Sequence, residues 1–503
     1  MTSNTAKKYD VVVVGGGPAG MMAAISAAEG GGQVLLVEKN EVVGKKLALT
    51  GGSRCNLTTS LSTDEIIENT PGNGRFLYSA LNRWDNNDII AFFKGLGVKL
   101  KEEDRGRIFP VSNDAQTIVS ALRNRMAELQ VEVIYNSRVS ELLTDQISEK
   151  YIAGTDETNG IVSSANVASE PQSNDVIVGT DPQSTKTTAQ TIISGVKLQS
   201  GETIKARNVI IATGGKSFPA TGSTGDGYEL AKTLGHTIKP LSPGEVPLTS
   251  EDPFTKKDRL QGLSLQDISV SVLNAKGKKL ITHRNDLLFT HFGLSGPAIL
   301  SSSTFALKEL EKQNQSAVEA KQNSSLRVQR SNPHADFTRP CHSECNDVVT
   351  VELSLDILPD RSTDEIVCEI EKCVLCSGDK SLRNGLRDFL PERLLLYFLI
   401  NLDINPDRKL KTLTPTEAKS LAALCKNFIV NISGSLPLDK AFVTCGGVSL
   451  KEINPKTMES KLVSGLYFCG EILDVNGYTG GFNLTAAFTT GHLAGMASAA
   501  TAI

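Results

Sequence analysis

Three glycines spaced as Gly15-x-Gly17-x-x-Gly20, followed by a carboxylate at Glu38, are the residues of this chain whose types and spacing speak most directly of chemistry. The first permits a tight turn, the second leaves room for a pyrophosphate, and the third lets a helix lie close to a strand. Amides at a helix N-terminus then face phosphate oxygens. Glu38 ends the next strand, where a carboxylate accepts hydrogen bonds from ribose hydroxyls. Together they describe a dinucleotide site.

That chemistry needs a strand before the glycines and a helix after them. Residues 10–14 (DVVVV) are a β-branched run, MMAAISAAE reads as a helix of small residues, and 33–39 (QVLLVEK) as a second buried strand. The result is a βαβ unit with a parallel sheet. Helix IIAFFKGLG, loop EEDRGRIFPVSND, helix AQTIVSALRNRMAEL and strand VEVIYN follow within 88–142.

FAD and NAD share this fingerprint, and later segments choose between them. NVIIATGG (208–215) is a buried strand ending in Ala212, Thr213, Gly214 and Gly215. It is similar to the strand and turn that pack near the dinucleotide in two-dinucleotide flavoproteins. GLYFCGEILD (465–474) is a strand followed by Gly470, Glu471 and Asp474, similar to the late flavoprotein motif whose acidic residue binds the ribitol chain. NGYTGGFNLTAAFTTGHLAG (476–495) is a glycine turn opening a helix. A helix N-terminus there stabilises a reduced, anionic flavin at its N1–C2=O edge. Such a late return to the first domain is an FAD arrangement more than an NAD one. Within VVGKKLALTGGSRCNLT (42–58), Lys45, Lys46, Arg54 and the amides of Gly51 and Gly52 suit phosphates or a flavin ring.

Length and composition bound the rest. A chain of 503 residues predicts two or three domains, with 40% hydrophobic and 21% charged residues as in ordinary globular proteins. The net charge of −4 excludes a global nucleic-acid footprint but not a local basic surface. No apolar run approaches the ~18 residues of a bilayer span. The N-terminal run is too short for a secretory signal, so a soluble cytoplasmic protein is expected, its nine cysteines reduced.

Polar residues 154–190 and 312–347 read as mobile surface insertions. Between 240 and 360, segments such as LQDISVSVLN and VVTVELSLDIL alternate like antiparallel strands, and 363–427 is helical. After about 445 the glycine-rich pattern returns.

The stretch 42–58, with RGRIFPVSNDAQTIV (105–119), FTHFGLSGPAILS (289–301) and DVNGYTGGFNLTAAFTTGHLAG (474–495), resembles the HI0933-like (BaiN/aminoacetone-oxidase-type) flavoproteins. The resemblance spans nearly the whole chain outside the two polar insertions. It implies an α/β fold: a Rossmann-type FAD-binding domain built from both chain ends, carrying an inserted β-barrel-like domain and a small helical domain. The boundaries expected are 1–238 and 446–503 for the FAD domain, 239–362 with a return at 428–445 for the barrel-like domain, and 363–427 for the helical one.

By the same analogy Gly15, Gly17, Gly20, Glu38, Lys39, Lys46, Thr50, Asn56, Ala212, Thr213, Gly214, Gly470, Asp474, Gly480, Gly481 and Asn483 line the cofactor. Pro18, Ala19, Gly51, Arg54, Cys55, Val139, Gly215, Glu471 and Phe482 complete the expected cofactor set. Ser53 stands where many relatives have glycine in the TGG-x-RCN turn.

The residues that react with substrate are less sharply marked. Cys55, in the flavin loop, is a thiol candidate for proton donation, with a small apolar filler as the alternative. Arg105 and Arg107 suit an anionic or carbonyl-bearing substrate; Tyr478 and His291 are further acid candidates. The glycine turn 221–236 lacks the context of a nicotinamide site and is expected as a loop over flavin or substrate. NAD(P)H is therefore expected only as a transient electron donor. Cys341, Cys345, Cys373 and Cys376 do not make a convincing zinc site, and no metal is expected.

The favoured activity is a reductase that delivers hydride from reduced flavin to a polarised double bond. The resemblance links that chemistry to a uridine of large-subunit ribosomal RNA (dihydrouridine formation), to steroid enones and to aminoketones; the rRNA uridine is preferred. Lysines 276, 278, 279, 308 and 312 and the 256–259 segment offer phosphate contacts. Two alternatives stay open: a flavin oxidase or enone reductase for small molecules, and a non-catalytic FAD-stabilised binding module. No stable protein partner and no membrane association are expected.

Overall fold

The computed structural model describes residues 8–148, 189–256, 259–331 and 349–502. Its first sheet is built around Lys8–Val14, whose Val11–Val14 side chains are almost fully buried. Continuous burial requires both faces to be covered, and this explains why the strand is a valine run rather than an alternating one. It pairs in parallel with Val34–Val37 on one side and with Thr203–Ile211 on the other. Glu132–Ile134 extends one edge, and the antiparallel strands Ala189–Leu198 and Val139–Ser148 extend the other.

The C-terminal segment joins this sheet. Leu466–Phe468 pairs in parallel with Val209–Ile211. The last helix, Phe482–Ala502, packs along the first, Pro18–Glu29. They approach so closely that a Cβ at Gly491 would lie 2.4 Å from the Ala19 carbonyl oxygen, and one at Gly495 2.3 Å from that of Ala23. Only glycine permits this approach, and through it the two chain ends share one core.

A second core lies between residues 248 and 432. Its seven-stranded sheet is antiparallel, in the order 428–432, 351–356, 264–273, 279–289, 293–295, 248–249, 434–435. The strands at its two ends are consecutive in the chain, separated by Ser433 alone, so the sheet curls back on itself. Helices Thr363–Ser377, Glu392–Asn401 and Pro415–Lys426 bury their apolar sides against it; the first and third begin with capping boxes at Ser362 and Thr414. The hinge between the cores is the antiparallel pair Ile238–Gly244 and Val443–Val448.

One expectation is corrected. Residues 312–331, read as part of a polar loop, prolong the helix Pro297–Ser331. The stretch holds neither Gly nor Pro, so its backbone can continue hydrogen bonding even with little to bury. Of the other polar insertion, 154–188 lies outside the described residues, while 189 and 190 begin a strand. Cys341 and Cys345 also lie outside them; Cys373 is half-buried and Cys376 exposed.

Candidate active site

The glycine turn after Lys8–Val14 opens into a cavity of about 880 Å³, within the range of small-molecule and cofactor sites. The turn works as its spacing predicts. A Cβ at Gly20 would sit 1.9 Å from the Gly15 carbonyl oxygen, so Gly20 is a packing residue. At Gly17 an added Cβ would meet nothing within 4 Å, and its face opens on the cavity. Pro18 begins the helix, leaving the first-turn amides directed at the same space.

Glu38 is buried and shapes this end. Its Oε2 accepts the Gly16 amide at 2.6 Å, and Oε1 accepts the Asn40 amide at 2.8 Å and Nδ2 at 2.7 Å. Lys39 Nζ donates to Asp226 at 2.8 Å. Asn40 Nδ2 also reaches the Thr221 carbonyl at 3.2 Å. The 221–236 segment, expected as a loop over flavin or substrate, therefore packs at the Glu38 end of the cavity.

The middle of the cavity is lined by Lys45, Lys46, Thr50, Gly51, Gly52, Arg54 and Asn56. This turn holds a run of left-handed backbone at Gly51, Gly52, Ser53 (φ 66°) and Cys55 (φ 60°). Ser53 thus keeps the conformation its glycine counterparts adopt without strain. Lys46 Nζ donates to Glu471 at 2.8 Å and to Ser217 Oγ at 2.9 Å. Burial would raise the Glu471 carboxyl, but the Lys46 ammonium, the Thr444 amide and the Ser217 hydroxyl outweigh it and hold it below the usual range. Arg54 is ion-paired with Glu103 and lies 4.3 Å over the Phe109 ring.

The far end belongs to both cores. Tyr478, Thr479, Gly480, Gly481, Phe482 and Asn483 come from the C-terminal turn; Glu245, His283, Arg284, Asn285 and Asp286 come from the second core and its hinge. Asn483 braces the turn, accepting from the Gly477 amide and donating to its carbonyl, each at 2.8 Å. His283 packs its ring 4.9 Å from that of Tyr478 and bonds Ser302 Oγ at 3.0 Å. Burial pushes the imidazole down to about 4 and the Tyr478 phenol up to about 12.

Most of the residues marked in the sequence meet on this one wall, among them Pro18, Ala19, Val139, Ala212, Thr213, Gly214, Gly470, Arg105 and Arg107. Arg107 is ion-paired with Asp104. Gly20, Cys55, Gly215, Asp474 and His291 do not line it. Cys55 is fully buried, and that burial pushes its thiol up to about 12 despite a hydrogen bond with Thr50. A Cβ on Gly215 would lie 2.4 Å from Thr444 Oγ1. Asp474 contributes its backbone, accepting from Asn73 Nδ2 at 2.8 Å. The sequence reading missed Asn40, Glu245, His283 and Arg284. The first adjoins Glu38; the others sit in strands or a turn whose pattern carries no cofactor signature.

The cavity suits a long, polar dinucleotide. Asn56 Oδ1 and Thr213 Oγ1 are buried on or beside its wall with no partner among the described residues, and the open face at Gly17 is a cradle that a side chain would fill. The family model described as HI0933-like protein Rossmann domain matches residues 9–173 and 160–497. The chain belongs to the HI0933-like family. This HI0933-like protein is an FAD-dependent oxidoreductase. A ribosomal RNA dihydrouridine synthase of Haemophilus influenzae is 27% identical over 464 residues, 91% of this chain and 90% of that protein. A 3-dehydro-bile acid delta(4,6)-reductase of Clostridium scindens is 27% identical over 475 residues, 93% of each. Among solved structures, the 3-ketosteroid delta1-dehydrogenase of Sterolibacterium denitrificans aligns over 98% of this chain and 100% of its own at 14% identity, with a TM-score of 0.47. No helix among the described residues is long and apolar enough to cross a membrane.

Proposed function

We propose that this protein reduces a carbon–carbon double bond conjugated to a carbonyl, with a uridine of large-subunit ribosomal RNA as the favoured substrate and NAD(P)H as the transient donor. The observation carrying this reading is the two-sided cavity. One side has the glycine turn, Glu38 and the C-terminal helix start, which suit a dinucleotide; the other is lined by residues of the second core and its hinge. When bound, FAD supplies hydride at that junction.

In this reading the amides of the first helix hold the pyrophosphate and Glu38 the ribose. Lys46, Thr50 and Asn56 hold the middle, and the amides of 480–482 face the flavin. The second core then forms the substrate wall, consistent with domain limits at 1–238, 239–362, 363–427, 428–445 and 446–503. The names of the two curated relatives share one chemistry: dihydrouridine is uridine with its conjugated 5,6 bond reduced, and a delta(4,6)-reductase name likewise denotes reduction of ring double bonds. For an RNA substrate, the exposed Lys276, Lys278 and Lys279 around one hairpin and Lys308 and Lys312 on the helix beside it supply phosphate contacts.

The test is anaerobic. Flavin-loaded protein is bleached with NADPH, then mixed with unmodified large-subunit rRNA. Reoxidation with dihydrouridine formation is expected. Reoxidation by 2-cyclohexen-1-one but not by RNA would overturn the rRNA assignment, and peroxide formation from O₂ with an aminoketone would favour the oxidase.

A further inference from the structure

Glu245 is a glutamate with an unusual setting. It follows the hinge strand Ile238–Gly244, has only 3% of its surface exposed, and contributes to the cavity wall. Its backbone is left-handed at φ 50°, held there by the Phe442 amide, which donates to its carbonyl at 3.2 Å. That conformation is costly for a residue with a side chain, and persists only where the surroundings impose it. The carboxyl is anchored at one oxygen: the Thr479 amide donates to Oε1. Oε2 is buried with no partner among the described residues. An orphaned buried oxygen costs stability unless a ligand meets it.

The other groups at this end are poor proton donors. Burial makes the Tyr478 phenol, pushed up to about 12, a weaker acid than the Glu245 carboxyl, and His283 is too weak a base at neutral pH to be charged. Cys55 is off the wall. Arg284 is committed to Asp267 at 2.8 Å and to Asp360 at 2.5 Å. Beside Glu245 lie the Tyr478 phenol, with His283 against its ring, and the buried Cys445 thiol, all neutral near pH 7; Lys308 and Asp474 act on that thiol with opposite signs. The Arg284 guanidinium at this end is taken up by its two aspartates, and no cation among the described residues lowers the Glu245 carboxyl.

We propose that Glu245 is the catalytic acid of the reduction, its Oε2 giving the proton that completes the substrate's saturated bond. The role rests on the double-bond reductase reading given above. Hydride adds to the carbon remote from the carbonyl, and its electron pair forms the new C–H bond. The displaced π pair moves to the carbon beside the carbonyl and takes the proton, breaking the Glu245 O–H bond. The remaining carboxylate is held by the Thr479 amide and regains a proton from water. Burial, only partly opposed by that amide, pushes this carboxyl up to about 8, so the acid is loaded at neutral pH and close to the range where general acids work best.

The experiment compares wild type with Glu245→Gln and Glu245→Asp, each loaded with FAD. A readout independent of turnover comes first: with ¹³C at glutamate side-chain carboxyls, the resonance missing in E245Q is expected to titrate near pH 8. A carboxylate already ionised at pH 6 would overturn the proposal. Next, each variant is reduced with NADPH and reoxidised anaerobically with unmodified large-subunit rRNA, or with 2-cyclohexen-1-one. In E245Q the reoxidation rate should fall about 10²-fold or more beyond any loss in the reduction step. The wild-type decline above pH 8 should vanish with it, and E245D should recover part of the rate. Wild-type-like reoxidation in E245Q would overturn the role of Glu245 while leaving the reductase reading intact. A wild type that neither probe reoxidises would overturn that reading and the acid role with it.

Discussion

The Lys46 ammonium lies 2.8 Å from the Glu471 carboxylate, closing the cavity floor across the two halves of the dinucleotide site. Glu471 also accepts the Thr444 amide at 3.0 Å, so one carboxylate ties the N-terminal turn, the hinge strand and the C-terminal turn together. Both side chains keep about a quarter of their surface exposed, and the pair is screened accordingly. Lys46→Met strands a carboxylate and should cost about 1–2 kcal/mol in chemical denaturation. Lys46→Met with Glu471→Gln should recover part of that loss; equal losses would deny the coupling. The Glu471 carboxyl is lowered on folding, so the pair's contribution is present above the unfolded carboxylate range and disappears as pH falls through the folded value.

Gly17 and Gly20 should separate binding from folding. Gly17→Ala adds a methyl that meets no protein atom within 4 Å, so thermal stability of the apoprotein should stay near wild type while flavin content drops. Gly20→Ala drives its methyl into the Gly15 carbonyl and should impair folding itself. Equal flavin content in Gly17→Ala and wild type would argue against a pyrophosphate at this turn.

Glu38→Ala removes the acceptor of the Gly16 and Asn40 amides and, in the proposed reading, of the cofactor ribose. Flavin affinity should weaken by about tenfold or more, for one or two lost hydrogen bonds to a charged group. Equilibrium dialysis of the apoprotein with FAD measures it.

Cys55 should be silent. With its thiol pushed up to about 12 by burial, it stays protonated and unalkylated by iodoacetamide in the native protein at pH 8. Cys55→Ala should reduce rRNA or enone at a near wild-type rate. Peptide mapping showing rapid Cys55 labelling would restore it as a reactive group.

Glu245 makes a stability prediction distinct from its chemistry. Its carboxyl is raised on folding, so the unfolded chain releases a proton first and stability falls as pH climbs from the ordinary carboxylate range towards about 8. Glu245→Gln should remove that fall, gaining up to about 4 kcal/mol over wild type at pH 8–9. Parallel denaturation curves for the two proteins across that range would contradict it.

Local chemistry carried much of this protein in its sequence. The valine run, the glycine spacing and Glu38 are close in the chain, so their geometry follows from strand, turn and helix periods alone. The late turn at 476–495 was legible for the same reason. Its return to the first domain needed packing, through glycines that let the last helix touch the first. What tertiary structure decided lies where distant segments meet. Glu245 looks like any acidic residue between a glycine and a valine, and its burial and left-handed backbone arise only because the hinge strand pairs with Val443–Val448 and turns it towards Thr479. His283 and Arg284 reached the wall through strand register, which sequence alternation does not set against another domain. Cys55 took the apolar-filler alternative: adjacency to wall residues suggested contact, but the left-handed residues of the 51–55 turn point its thiol into the core. Sequence proximity fixes what kind of chemistry a segment can do, whereas burial and the direction of a side chain depend on neighbours hundreds of residues away.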